Sequence, residues 1–282
     1  MLYLPGNNPN MLTRGYLFGS DGIILDLEDA VAMVEKDTAR ILVSKYLQQG
    51  EFGDCYVSVR INGIDTEYWK DDLAAIVPNK RLDGIRVPKV EDENTVKIID
   101  EELSRLEEQN GLPVGKLSLH CLLETAHGIW NAYEIAKASP RIEAIIPGGE
   151  DLRADLKTNR SDDSTELEWA RRMLVFAARA AGVEPLDTVF ARITDDEGLR
   201  KETEFIKQLG FSGKSIIHPN QIKIIHDIFT PTEQEIAKAQ KIIAAAKEAA
   251  ARGQGAVTVD GKMVDIPVVK RAEYTLVRAG LA

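Results

Sequence analysis

Basic residues are the first shortage. The chain holds 35 Lys and Arg against 45 Asp and Glu, a formal net charge of −10. Nucleic acid and anionic membrane both demand a basic face, so the balance argues against either as a partner. An anionic substrate would meet a repelling global field, and local Arg and Lys would have to draw it in. Cysteine is scarce as well: Cys55 and Cys121 sit inside apolar runs and read as small buried hydrophobes rather than a disulfide. The opening Met-Leu-Tyr-Leu-Pro-Gly has no basic region and no long apolar core, unlike a signal peptide. No apolar run approaches membrane-spanning length, and the cytoplasm is the expected compartment. There is no G-x-S-x-G elbow, no H-E-x-x-H and no paired C-x-x-C, so serine hydrolysis and zinc chemistry lack support. Gly148-Gly149 is a weak phosphate-loop signal, because no Walker lysine follows and no G-x-G-x-x-G opens a helix.

What the chain has in quantity is alternation. It is 44% apolar and 28% charged over 282 residues, a globular composition with enough length for a large core. Short β-rich runs at 2–4, 22–27, 55–61, 83–87, 117–123, 144–147, 188–191 and 214–217 are separated by longer helical stretches. This pattern predicts an α/β fold with a parallel sheet, and eight units within residues 1–230 predict a (β/α)8 TIM barrel. An open doubly wound sheet is the runner-up. Asp163…Glu166, Thr194…Glu197 and Thr230…Glu233 each set a capping residue three before a glutamate. Residues 231–282 read as a C-terminal extension: a long Ala/Lys-rich helix at 232–252, a hairpin turning on Asp260-Gly261, and a last helix at 268–278. Such a helix–hairpin–helix tail, lying beyond the eight units, is an appendage that needs its own explanation, with Gly253-Gln-Gly255 as a candidate hinge.

In a parallel barrel, function collects where strands end. Those ends are polar here: Glu28-Asp29, Arg60 to Asn62, Arg86 with Lys89, Glu124, Asp151 and His218. Strand alternation puts Ser58, Arg60 and Asn62 on one face and Ser118, His120 and Glu124 on another, both expected to look inward. If the strands before Glu124 and Asp151 are parallel neighbours, their ends lie ~4.8 Å apart. Two bare carboxylates that close repel, and one stays protonated unless a cation sits between them. Mg²⁺ suits the place, since it takes one or two carboxylates and leaves other positions to water and substrate. Both acids fit equally well as N-caps of the helices that follow. Arg60 reads as an anion anchor through its bidentate fork, or as a salt bridge to nearby acids. Glu28 and Asp29 read either as holders of metal-bound water or as plain caps. Arg86 and Lys89 suit a phosphate or thioester arm, although a solvated surface charge is the commoner role. His120 and His218 read as satisfied polar residues of the core.

Eight motifs then stand in a telling order: Pro5-Gly-Asn-Asn, Asp26-Leu-Glu-Asp-Ala-Val31, Arg60-Ile-Asn62, Val87-Pro-Lys89, Glu124-Thr-Ala, Gly149-Glu-Asp-Leu152, His218-Pro-Asn-Gln221 and Gly261-Lys-Met-Val-Asp265. Together they resemble, nearly end to end, the malyl-CoA and citramalyl-CoA lyase family that includes the citrate lyase beta subunits. The resemblance implies a (β/α)8 barrel with Mg²⁺ held by Glu124 and Asp151. It also implies substrate contacts from Gly6, Arg60, Asn62, Lys89 and Glu124, with Glu28 and Asp29 behind them. Asp265 is implied as an acid/base that reaches a neighbouring subunit's site, so a homo-oligomer (a trimer or a multiple of it) is implied too. The activity implied is carbon–carbon cleavage of a 3-hydroxy-acyl thioester, most directly a citryl thioester on CoA or an acyl carrier protein. Its products would be oxaloacetate and an acetyl thioester, and a transferase (alpha) subunit and acyl carrier subunit would be partners. Malyl-CoA or citramalyl-CoA cleavage, to glyoxylate or pyruvate, is the alternative. A barrel that binds phosphoenolpyruvate or a sugar phosphate, and a non-catalytic subunit that docks an acyl carrier protein, are the other rivals. Relatives usually carry an arginine just before the first strand. This sequence opens at that motif, so a truncated start is the expectation, with weakened substrate affinity as the alternative.

Overall fold

Aliphatic runs such as Gly22–Asp26 and Ser118–Leu123 are buried along their whole length, as strands covered on both faces must be. The structure, a computed structural model, describes residues 1–253 and 255–281; Gln254, the middle of the candidate hinge, lies outside them. Strands β1 (Leu2–Pro5), β2 (Gly22–Asp26), β3 (Tyr56–Arg60), β4 (Gly84–Val87), β5 (Ser118–Leu123), β6 (Ile142–Pro147), β7 (Glu184–Asp187) and β8 (Gly213–Lys214) form one sheet in sequence order. Every neighbouring pair is parallel. The sheet curls until its ends meet: Leu2 bridges Ile216 in parallel, and the Tyr3 amide donates to the Ile216 carbonyl at 2.9 Å. Helices α1 (Pro9–Arg14), α2 (Lys36–Gln49), α3 (Trp69–Ile76), α4 (Glu93–Gln109), α5 (Ala126–Trp130), α6 (Ala132–Ala136), α7 (Gly149–Asp155), α8 (Glu168–Ala181) and α9 (Asp196–Leu209) fill the connections, and α10 (Asn220–Phe229) follows β8.

Register decides what the curled sheet encloses. Asp26 pairs with Arg60, Arg60 with Arg86, and Arg86 with His120, so four polar side chains occupy one row. Arg86 is therefore not a solvated surface charge but fully buried, because Ile85 and Val87 take the opposite face of β4. Beside this row, Leu122, Ala144, Ile146 and Leu186 form a small apolar cluster. His120 is buried against Tyr56, with ring centroids 5.2 Å apart and planes 5° apart, and its Nδ1 has no partner. Both cysteines are buried and unbridged, and burial pushes the Cys121 thiol up to about 12.

The seventh strand lies earlier than its expected place at 188–191. β7 is Glu-Pro-Leu-Asp, a sequence with no apolar alternation to reveal it. It holds its place through charge. Arg171 of α8 grips Asp187 with Nε and Nη2 at 2.9 and 3.0 Å, Lys214 of β8 reaches Asp187 at 2.5 Å, and Glu202 of α9 pairs with both cations. The helix starts also shift. The capping box of α11 (Glu233–Ala251) is Thr232 with Glu235 rather than Thr230 with Glu233, and Asp195, not Thr194, caps α9.

The chain divides into two compact units, Met1–Ile225 and His226–Ala282. In the second, α11 is followed by β9 (Val257–Val259), β10 (Lys262–Val264) and α12 (Ile266–Arg278). Asp260 and Gly261 both have positive φ, 51° and 74°, as the two-residue turn of a tight hairpin requires. Ala239, Ile242, Val259, Val264 and Ala272 form this unit's own core. Among the described residues, no helix is long and apolar enough to cross a membrane.

Removing one member of the buried β7 network leaves an uncompensated charge. Asp187→Ala is expected to destabilise the first unit by about 3–5 kcal/mol, read as a lower urea midpoint at unchanged slope.

Candidate active site

Four chain segments end in a charged residue or a turn at the same rim. Asp26 closes β2, Arg60 closes β3, Glu124 follows β5, and Gly148-Gly149 lead from β6 into α7. A cavity of about 400 Å³ opens there, and Tyr3, Arg60, Glu124, Asp151, Thr188 and Ser215 are among the residues that line it. The two carboxylates expected to share a point thus face one space, and neither is a helix cap. Thr125 caps α5 through its hydroxyl. Asp151 lies inside the first turn of α7, whose cap Gly148 makes no side-chain bond.

The backbone explains how Glu124 gets there. A side chain at Gly148 would collide with Glu124, its Cβ falling 2.6 Å from Oε1. Gly148 is the space into which Glu124 folds. On the other side Lys89 adopts a left-handed φ of 51°, uncommon for a residue with a Cβ, and its amide donates to Glu124 Oε2 at 3.3 Å. Burial, then the nearby Asp151, pushes Glu124 up to about 7. Burial and Asp29 raise Asp151 as well, against Lys89 and Arg60.

Arg60 is held from behind. Its Nε and Nη2 each donate to Asp26 at 2.6 Å, while Nη1 lies 2.7 Å from Glu28 and 3.3 Å from Asp29. Burial works to lower its pKa, but Asp26 outweighs it and the group stays charged. Asp26 itself accepts the amides of Glu28 and Ala30 at 3.0 and 3.2 Å, which folds the loop back on the strand. Lys36 locks that loop by donating to the carbonyls of Leu27 and Glu28 at 2.7 Å. Glu28 is buried with neither oxygen in hydrogen-bond geometry, its contact with Arg60 being close but misdirected. Burial pushes it up to about 8 against the pull of Arg60, with Asp29, Glu124 and Asp26 adding to the rise.

Not every expected residue faces the cavity. The buried Asn62 gives both its amide and its side chain to Asp72, at 3.0 and 2.6 Å, and so fixes the exit of β3. Gly6 packs where a Cβ would sit 2.5 Å from the Asp26 carbonyl. Half-exposed Lys89 reaches Glu28 at 4.0 Å and Asp65 at 3.9 Å. Asp265 lies in the second unit, where its carboxylate caps α12 by accepting the Val268 amide at 3.3 Å. His218 accepts the Asn220 amide at 3.2 Å. Sequence reasoning missed Asp26, Tyr3, Thr188 and Ser215. Of these, Tyr3 was findable, since its neighbours Leu2 and Leu4 are the obvious outward pair on β1.

The donor set fits a hard divalent cation. Glu124 and Asp151 offer carboxylate oxygens alone, burial penalises both charges and neighbouring acids add to it, Asp151 on Glu124 and Asp29 on Asp151, and a cation between them would relieve both. No group of three or more His, Cys, Asp or Glu placed for a metal occurs among the described residues, which a Mg²⁺ site with two protein carboxylates does not need.

The family profile described as HpcH/HpaI aldolase/citrate lyase matches residues 1–219. The chain is 45% identical over 276 residues to the citrate lyase subunit beta of Leuconostoc mesenteroides subsp. cremoris, covering 98% of this chain and 91% of the relative. It is 34% identical over 297 residues to the L-malyl-CoA/beta-methylmalyl-CoA lyase of Cereibacter sphaeroides, covering 99% and 93%. Among solved structures it is similar to protein CitE from Mycobacterium tuberculosis in complex with magnesium, acetoacetate and coenzyme A. There the TM-score is 0.80 and the identity 31%, with 99% of this chain and 97% of that one covered.

A buried acid with a raised pKa binds its proton in the folded state while the unfolded chain has already lost it. Between the ordinary Glu range near 4.5 and about 8, stability contributed by Glu28 is therefore lost as pH rises. In metal-free protein, Glu28→Gln is expected to remove that loss and to raise the melting temperature most at the alkaline end. Thermal unfolding from pH 5 to 8.5 checks it.

Proposed function

Since the chain belongs to the HpcH/HpaI aldolase/citrate lyase family, we propose that it is a Mg²⁺-dependent carbon–carbon lyase acting on a citryl thioester. The observation behind this is the pair Glu124 and Asp151 facing one cavity beside Arg60, on a fold shared with a structure whose ligands are magnesium, acetoacetate and coenzyme A. Glu124 and Asp151 would hold the cation. When bound, Mg²⁺ supplies Lewis acidity toward the substrate hydroxyl and its neighbouring carboxylate. Asp26 keeps the Nε/Nη2 edge of Arg60 occupied, so the substrate carboxylate is met by Nη1, which exchanges its contacts with Glu28 and Asp29 for it. At ~4 Å such a pair gains about 4 kcal/mol at an effective dielectric of 20, before desolvation is set against it. Loss of the hydroxyl proton turns that oxygen into a keto group as the adjacent carbon–carbon bond breaks. The electron pair passes to the thioester enolate, which takes a proton to give the acetyl thioester and leaves oxaloacetate.

Asp265, from a neighbouring subunit, is the acid/base in this reading, which makes the protein a homo-oligomer (a trimer or a multiple of it). The Lys262-Met-Val-Asp265 motif supports it. We read the curled sheet as a closed (β/α)8 barrel over residues 1–230, with 231–282 as the extension that brings Asp265 to its neighbour. The subunit designation of the Leuconostoc relative supports partners that carry the acyl group, a transferase subunit and an acyl carrier protein. Buried, unbridged thiols support a reducing compartment, the cytoplasm. The malyl-CoA lyase relative favours a second reading in which malyl-CoA or citramalyl-CoA is cleaved, to glyoxylate or pyruvate.

Purified protein offered citryl-, malyl- and citramalyl-CoA with Mg²⁺ is expected to release oxaloacetate from the first, and EDTA to stop it. Glu124→Gln is expected to keep the native circular dichroism spectrum and lose at least about a hundredfold in turnover, on the scale of removing a catalytic electrostatic group. Near-normal turnover in that variant would refute the metal assignment. For Asp265→Asn, mixing with Glu124→Gln under conditions of subunit exchange is expected to restore part of the activity that each variant lacks alone.

A further inference from the structure

Arg86 presents a problem that the lyase chemistry does not absorb. It is fully buried, and among the described residues no carboxylate pairs with it. An uncompensated buried guanidinium is expensive. Its bonds go instead to neutral groups: Nη1 donates to Ser215 Oγ at 2.9 Å and to Tyr3 Oη at 3.1 Å, and Nη2 to Met1 Sδ at 3.3 Å. Its Nε has no partner at all. The Tyr3 ring lies between two cations, 4.9 Å from the Arg60 guanidinium and 5.5 Å from that of Arg86.

Arginine can only donate, so both hydroxyl oxygens are used as acceptors on that side. Each hydroxyl still owns one proton, and neither group has another hydrogen bond among the described residues. Both line the cavity. Two O–H donors, backed by a positive charge that nothing else neutralises, are thus available to a cavity whose other polar groups are largely carboxylates.

Substrate chemistry says what needs them. A citryl thioester carries two free carboxylates. One, on the hydroxyl-bearing carbon, belongs to Arg60 and the Glu124/Asp151 pair. The other, at the end of a CH₂ arm, has no receptor there. A malyl thioester lacks that second carboxylate, and a citramalyl thioester carries a methyl group instead of the arm. We propose that Tyr3 and Ser215, positioned and polarised by Arg86 beneath them, bind the second carboxylate and so select citryl over malyl and citramalyl thioesters. The assignment rests on the lyase reading and sharpens it, because it names residues that distinguish its two versions.

The keto acid products isolate the effect from turnover. Oxaloacetate has the second carboxylate and pyruvate lacks it. Full-length protein, Tyr3→Phe and Ser215→Ala would be titrated with fresh oxaloacetate and with pyruvate by calorimetry, in the presence of Mg²⁺. The wild type is expected to prefer oxaloacetate. Each variant should lose roughly tenfold or more in oxaloacetate affinity, the effect of one hydrogen bond to a charged group, and hold its pyruvate affinity. Equal losses for both keto acids, or none for oxaloacetate, would overturn the subsite while leaving the lyase reading intact. A wild type that binds neither keto acid would remove the lyase reading and the subsite with it.

Discussion

Asp26, Glu28, Asp29, Glu124 and Asp151 are drawn together by strand ends that have to converge, and Arg60 with Lys89 supplies the nearby positive charge. Like charges at ~4 Å cost about 4 kcal/mol each at an effective dielectric of 20, against a total stability of about 5–15 kcal/mol for an ordinary domain. Ionisation is therefore disfavoured for the buried members Glu28 and Glu124. Two remedies exist: keep protons on the most buried members, or bring in a cation. Glu28 and Glu124, pushed up to about 8 and 7, show the first remedy at work in the chain by itself. The second is the chemistry proposed for the site. Repulsion that burdens the fold becomes affinity for the ion that relieves it.

The surrounding structure is arranged to hold that repulsion rather than to avoid it. Asp26 is satisfied by Arg60 and by two amides of its own loop, and Lys36 ties the same loop to α2. Glu124 is admitted by the missing side chain of Gly148 and steadied by the Lys89 amide. Away from the rim, charge is balanced locally: Arg171, Asp187, Glu202 and Lys214 neutralise one another two by two. Positive charge without a carboxylate remains beneath the cavity, at the buried Arg86, whose hydrogen bonds go to Tyr3 and Ser215 on the cavity wall and to Met1.

Wherever apolar periodicity was strong, the sequence was easy to read. The runs that became β2, β3 and β5 alternate or are continuously aliphatic, and such runs separated by helical stretches fit a parallel sheet covered on both faces. Glu124 and Asp151 could be paired because they follow consecutive runs of this kind. β7 lies before its expected place because Glu-Pro-Leu-Asp is fixed by ion pairs with α8, α9 and β8, partners that no local window contains. Arg86, for which a surface charge is the commoner role, is hidden from a local reading for a similar reason. Alternation with Ile85 and Val87 points it inward, but the usual expectation for arginine outweighed a four-residue strand. Asn62 looked like a ligand contact, and only the tertiary position of Asp72 reveals it as a brace for β3.

Cys121 stands on the strand that delivers Glu124, next to His120 and just before the Leu122-Leu123 pair, and no solvent reaches its sulfur. A thiol raised to about 12 is almost wholly protonated near neutrality, and the thiolate is the form that reacts. Alkylating reagents therefore have to wait for this stave to open. The rate at which an added disulfide reagent consumes the sulfhydryl becomes a clock for local unfolding at the acid-bearing edge, built into the chain with no probe attached.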